Sequence, residues 1–194
     1  MLRKIVLFFI LVLGLGVVSA VSAAPNKYCF EIYGSSLHGG DTAVYSGTFT
    51  DGSTGNITIT KKSSEEPDWM LKTTNFNGFS FASNMQYEAM AGGTQYRSVV
   101  FGPIETFSTE KWLLIETIDG NYSTRLRWDS RIPFAADWRN DQLVIASPYG
   151  TDSVKIQVFT VAGKDSQLPL TVSEFVYTEQ PTGVLGLHWV TCAK

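Results

Sequence analysis

The stretch Lys111-Trp112-Leu113-Leu114-Ile115-Glu116-Thr117-Ile118-Asp119-Gly120-Asn121-Tyr122-Ser123-Thr124-Arg125-Leu126-Arg127-Trp128 decides how this chain folds. Two β-prone runs flank Asp119-Gly120, a dipeptide that adopts the positive φ values of a two-residue hairpin turn at low cost. With the turn there, or slipped by one residue to Gly120-Asn121, the same side chains share a face. Leu113, Ile115, Thr117, Tyr122, Thr124, Leu126 and Trp128 make one face, which reads as a core face. Trp112, Leu114, Glu116, Ile118, Ser123, Arg125 and Arg127 make the other. Either register brings Glu116 within direct or diagonal reach of Arg125 and sets Trp112 near Arg127.

The same pattern extends in both directions. Short runs rich in Val, Ile, Thr, Phe, Tyr and Trp alternate with clusters of Gly, Asn, Asp, Ser and Pro, and no window sustains the apolar spacing of a long helix. The expected strands are Tyr28 to Tyr33, Thr42 to Thr50, Gly55 to Lys61, Trp69 to Phe76, Phe79 to Tyr87, Tyr96 to Phe101, Lys111 to Ile118, Tyr122 to Trp128, Gln142 to Ser147, Val154 to Val161, Leu170 to Thr178 and Val184 to Cys192. Asp51-Gly52 and Asn77-Gly78 carry two further tight-turn signals. Hairpins in sequence build an antiparallel all-β fold, either an up-and-down barrel or a strongly curled β-sandwich. The stretch Asp129 to Asp141, with Pro133 and Trp138, reads as the longest loop, and such loops often serve as lids.

The start of the chain has a different character: Arg3 and Lys4, an apolar run from Ile5 to Val18, then the small residues Val21-Ser22-Ala23-Ala24. This is the tripartite pattern of a secretory signal, with a cut after Ala23. The apolar run is shorter than the roughly 20 residues that span a bilayer, so no stable membrane insertion is expected once the signal is removed. Residues 24–194 then form a single all-β domain of about 171 residues, large enough to bury roughly 70% of its unfolded surface. The expected location is secreted or extracytoplasmic.

Fifteen Lys and Arg stand against 18 Asp and Glu, a net charge of -3. Losing Arg3 and Lys4 with the signal leaves 13 basic residues and a net charge of -5. Such a surface repels phosphate backbones, so nucleic acid is not an expected partner. The 2 cysteines, Cys29 and Cys192, both lie beyond the signal, and in an oxidising compartment they most simply pair. That bond would close a loop of about 164 residues and stabilise the fold by up to about 5 kcal/mol.

Chemistry-bearing patterns are sparse. A Cys–His nucleophile would have only His38 and His188 to draw on, and two histidines without spaced carboxylates make no zinc site. Asp51-Gly52-Ser53 and Asp119-Gly120-Asn121 are turn chemistry rather than calcium loops, so no metal and no cofactor are expected. His188 reads as a satisfied core or edge histidine. Gly78-Phe79-Ser80-Phe81-Ala82 falls within a strand pattern and lacks the strand-to-helix context of a nucleophile elbow. Glu116 and Glu174 each interrupt an apolar strand, which leaves one carboxylate pair for a glycoside-hydrolase reading. Trp69, Trp138 and Tyr149 stand outside the core alternation, where rings either cap a core or hold a ligand. Asn56-Ile57-Thr58 and Asn121-Tyr122-Ser123 fit the glycosylation acceptor pattern.

The candidate binding residues are therefore Trp112, Glu116, Arg125 and Arg127, with Trp138 as a lid contact. An arginine fork beside an indole plane suits a carboxylate, a sulfate or a sugar. The expected function is a secreted, non-enzymatic β-module that binds a small molecule, a glycan or a protein surface. The alternatives are an extracellular hydrolase acting on glycans or polymers and a structural, envelope-associated domain.

Overall fold

A computed structural model describes residues 26–36, 39–50, 58–71, 85–103, 110–128, 133–163, 168–178 and 181–193. The expected signal, His38, Asn56, Asp51-Gly52, Asn77-Gly78 and the Gly78–Ala82 stretch lie outside the described residues. The strands are β1 (Lys27–Ser35), β2 (Ala43–Thr50), β3 (Thr58–Ser63), β4 (Met85–Gly92), β5 (Tyr96–Pro103), β6 (Lys111–Thr117), β7 (Ser123–Trp128), β8 (Ala135–Arg139), β9 (Gln142–Tyr149), β10 (Ser153–Val161), β11 (Leu170–Tyr177) and β12 (Gly183–Trp189). A 3₁₀ turn at Asp68–Leu71 follows β3, where the sequence pattern predicted a strand beginning at Trp69.

The strands form three antiparallel sheets of four: a terminal sheet ordered β12-β1-β2-β3, a central sheet β11-β10-β9-β8 and a hairpin sheet β4-β5-β6-β7. Among the described residues none closes on itself, so of the two expected arrangements, up-and-down barrel or strongly curled sandwich, the barrel is not formed. The packing explains why. In β9, Val144 and Ala146 belong to the core shared with Phe30, Ile32 and Trp189 of the terminal sheet. Their alternating neighbours Leu143 and Ile145 belong to the core shared with Val100, Leu113 and Trp128 of the hairpin sheet. The central sheet is thus covered on both faces, and three stacked layers remove the need for closure. Each fully buried Leu, Val or Ile here contributes about 1.5–3 kcal/mol.

The hairpin sheet follows the sequence-derived alternation: Leu113, Ile115 and Trp128 are buried, with Tyr122 and Leu126 packed beside them. Its turn differs from the expected one. The ladder closes where the Thr117 amide donates to the Tyr122 carbonyl, leaving a four-residue connection in which only Gly120 has positive φ, +73°. The Asp119 carboxylate accepts the Asn121 amide at 3.1 Å, which holds Asp119 outside the left-handed region. The register remains the one centred on Asp119-Gly120.

The expected loop from Asp129 to Asp141 contains β8, which pairs with β9 through a two-residue turn at Asn140-Asp141, with Asn140 at φ 54°. Cys29 and Cys192 form a disulfide with their Cα atoms 5.2 Å apart. It binds β1 to the segment following β12, whose Val190 amide donates to the Cys29 carbonyl. Among the described residues no helix is long and apolar enough to cross a membrane.

Candidate functional site

The outward face of the hairpin sheet carries the predicted residues. Across β6 and β7, Trp112 lies opposite Arg127, Leu114 opposite Arg125 and Glu116 opposite Ser123. Strand β5 extends this face, with Phe101 opposite Trp112, Val99 opposite Leu114 and Arg97 opposite Glu116. The Arg125 guanidinium sits 4.1 Å from the centre of the Trp112 ring and 5.1 Å from that of Phe101. Such contacts are worth about 0.5–1 kcal/mol each at exposed sites, enough to hold the side chain along the sheet. Arg125 and Arg127 are exposed, and among the described residues neither forms an ion pair with a carboxylate.

Glu116 plays a different part from the one its sequence position suggested. It lies diagonal to Arg125 but forms its ion pair with Arg97 Nε of β5. Both partners are largely covered, at 13% and 16% side-chain exposure, so this pair braces the sheet and leaves Arg125 free of an acid. The hairpin alone could not show it, because the partner comes from the strand on the other side of β6. The signal available was the alternation Arg97-Ser98-Val99-Val100-Phe101, which sets Arg97 and Phe101 on one face.

Trp138 is no lid. It is buried, its Nε1 donates to Ser98 Oγ at 3.0 Å, and its ring stacks on Tyr96 with centroids 5.4 Å apart. Gly93 makes room for it: a Cβ there would lie 2.8 Å from Trp138 Cβ. The indole locks β8 against the hairpin sheet, on the side away from Arg125.

The neighbouring Asp137 joins β8 to the free edge of β12. Its Oδ2 accepts the Trp189 amide and His188 Nδ1, each at 2.9 Å, while Oδ1 accepts the Trp138 amide at 2.9 Å. His188 also stacks on Trp69, with centroids 5.3 Å apart, and Trp69 Nε1 donates to Glu31 at 3.0 Å. These contacts match the expectation of a satisfied edge histidine. Burial opposes ionisation of Glu31, but hydrogen bonds from Lys62 and Trp69, together with the charges of Lys62 and His188, outweigh it and hold the carboxyl below its ordinary range.

Glu116 and Glu174 do not face one another. Glu174 lies beyond the opposite face of the hairpin sheet, beside Gln157, whose Nε2 donates to it at 2.5 Å. Tyr149 is exposed, with the Lys155 ammonium 5.1 Å from its ring centre, and Asn121 is exposed in the β6–β7 turn. Among the described residues no group of three His, Cys, Asp or Glu is placed to hold a metal ion. What the outward face can do chemically is present the Arg125 guanidinium, without an acidic partner among the described residues, over the rings of Trp112 and Phe101, with the exposed Arg127 on the same strand, an arrangement suited to a planar anion. Compared with protein-family models, curated proteins and solved structures, the chain matches none.

Proposed function

We propose that this chain is an extracytoplasmic, non-enzymatic binding module whose outward hairpin-sheet face recognises an acidic ligand, foremost an acidic glycan. Arg125 and Arg127 supply the charge, and Trp112 with Phe101 supplies the platform. The observation that carries this reading is Arg125, stacked 4.1 Å from Trp112, exposed and unpaired, on a chain whose net charge is -3. Two unpaired arginines on an acidic protein favour association with anions, because a structural outer face gains little from a cation that neutralises nothing nearby. The N-terminal pattern and the Cys29–Cys192 disulfide support an oxidising compartment.

The testing experiment is a binding screen of the purified mature protein against acidic and neutral glycans, anionic lipid vesicles and acidic peptides, repeated at several salt concentrations. Acidic glycans should bind, more weakly as salt rises, and Arg125→Ala should abolish the signal. Binding restricted to neutral members, or unchanged by that substitution, would overturn the assignment. The compartment is checked by N-terminal sequencing of the exported protein, which should begin at Ala24 or Pro25; recovery of Met1 or Leu2 would refute the cleavage.

A further inference from the structure

A pocket of about 410 Å³ lies where the 3₁₀ turn, β4, β8 and β12 meet, and neither Arg125 nor Trp112 lines it. His188 and Asp137 stand on its wall. The Asp137 carboxylate only accepts, so His188 Nδ1 is the donor in their 2.9 Å contact. In the neutral imidazole this tautomer leaves a lone pair on Nε2, and among the described residues no hydrogen bond occupies it. A carboxylate behind one ring nitrogen, with the other left open, is how metal-binding histidines are held.

The 3₁₀ turn brings sulfur to the same place. Met70 Sδ occupies the space of a side chain at Gly186, where a Cβ would lie 2.1 Å from the sulfur. Gly186 and His188 share one face of β12, roughly 7 Å apart. Trp69 covers both, its ring stacked on His188 and 2.9 Å from the Cβ position of Gly186. A second thioether comes from β4 by a strained route. Between the pairs Glu88–Val100 and Ala91–Ser98, Ala89 and Met90 together oppose Val99, so the strand bulges. Ala89 adopts φ 45°, a left-handed conformation unfavourable for alanine, and both bulge residues line the pocket. Bulges and backbone strain of this kind concentrate at functional sites, where they re-aim a side chain.

This donor set selects a ligand class. The carboxylates nearby are committed: Asp137 also accepts the Trp138 and Trp189 amides, and Glu31 accepts Lys62 and Trp69. A hard cation such as calcium therefore finds no uncommitted carboxylate in the pocket, and one imidazole is too few for zinc. Covalent catalysis would need a nucleophile beside Nε2, and among the described residues no serine, threonine or cysteine lines the pocket. One imidazole, a pair of neutral thioethers and an indole face suit a soft monovalent cation, because thioethers bind soft metals and a ring face stabilises positive charge. Methionine has three rotatable side-chain bonds, so both sulfurs can close on Nε2.

We infer that Met70, Met90 and His188 bind one Cu(I) ion, with Asp137 positioning the imidazole and Trp69 covering the metal. The test is calorimetric titration of the purified protein in chloride-free buffer with Ag(I), an air-stable ion of the same charge and closed shell, and with Zn(II). Cu(I) is titrated anaerobically in competition with a chromophoric chelator, and NMR follows the methionine methyls and the His188 ring. One Ag(I) or one Cu(I) should bind, moving the Met70 and Met90 methyls and His188 Nε2 and leaving in place the methyl of Met85, which does not line the pocket. Met70→Leu and Met90→Leu preserve volume and apolar character, so thermal unfolding should stay nearly unchanged. Each should weaken binding about tenfold or more, at least the loss that follows altering a partner just outside a metal's ligands. Met85→Leu should leave the affinity as it is. Asp137→Asn should weaken binding and mix the two His188 tautomers, read from the ring nitrogen shifts; one unmixed tautomer with full affinity would remove Asp137 from the site. Absence of binding by both monovalent ions, or unchanged affinity in both pocket leucine variants, overturns the site. A Met85 methyl that moves as far as those of Met70 and Met90 shows unselective binding to thioethers and overturns it as well. Zn(II) that binds as tightly as Ag(I) and moves the same resonances overturns the soft-cation assignment.

Discussion

Replacing Arg125 by alanine separates a recognition role from a packing role, because the structure predicts opposite sizes for the two effects. In the free protein the guanidinium has no carboxylate partner among the described residues and rests on the half-buried rings of Trp112 and Phe101. Losing those contacts should cost about 1 kcal/mol or less of folding stability, a shift in Tm of roughly 2–4 °C for a domain of this size. In a complex with an anion the same group donates charge-assisted hydrogen bonds, each worth about 1.5–3 kcal/mol, so the Kd should rise about 10- to 150-fold. Arg125→Lys keeps the charge and loses the planar fork, and should recover only part of that loss. Urea denaturation and calorimetric titration against the ligand found by the screen measure the two quantities on one sample. A Tm lowered by more than about 6 °C with an unchanged Kd would show that Arg125 is a packing element and refute the reasoning.

Other substitutions test the surrounding framework. Glu116→Gln should destabilise the fold by roughly 1–3 kcal/mol in urea, since it removes the charge that pairs with the covered Arg97 guanidinium; no change in the urea midpoint would mean that the pair braces nothing. Trp138→Ala should cost about 3–5 kcal/mol, as expected for a buried aromatic, and a loss below about 1 kcal/mol would return Trp138 to the surface. Breaking the Cys29–Cys192 bond, which spans 163 residues, should lower stability by up to about 5 kcal/mol, and the native unreduced protein should show no reactive thiol. Because the Glu31 carboxyl is held below its ordinary range in the folded state, its contribution is present above the unfolded-state value and is lost as the pH falls through the folded one. Glu31→Gln should therefore flatten the acid limb of the stability–pH curve, and an unaltered limb would show that the Lys62 and Trp69 contacts carry no weight.

The alternation of Leu113, Ile115 and Thr117 with Trp112, Leu114 and Glu116 was sufficient to read the β6–β7 register and its two faces, because a strand repeats every two residues and needs no knowledge of its partner. Compartment chemistry likewise made the pairing of two lone cysteines legible. What lay beyond the sequence depended on covering from a distance. Leu143 to Ser147 is a continuous buried run, and such a run cannot reveal that its alternate residues serve two different cores. Ala135-Ala136-Asp137-Trp138-Arg139 lacks β-branched residues; it is a strand because β9 pairs with it and Trp138 anchors it, and both contacts are tertiary. The acid that pairs with Arg97 and leaves Arg125 free, and the hydrogen bond from Gln157 to Glu174, were decided by which strands became neighbours. Periodicity is carried by the chain itself, whereas the choice of neighbours arises only when apolar faces on distant segments bury one another.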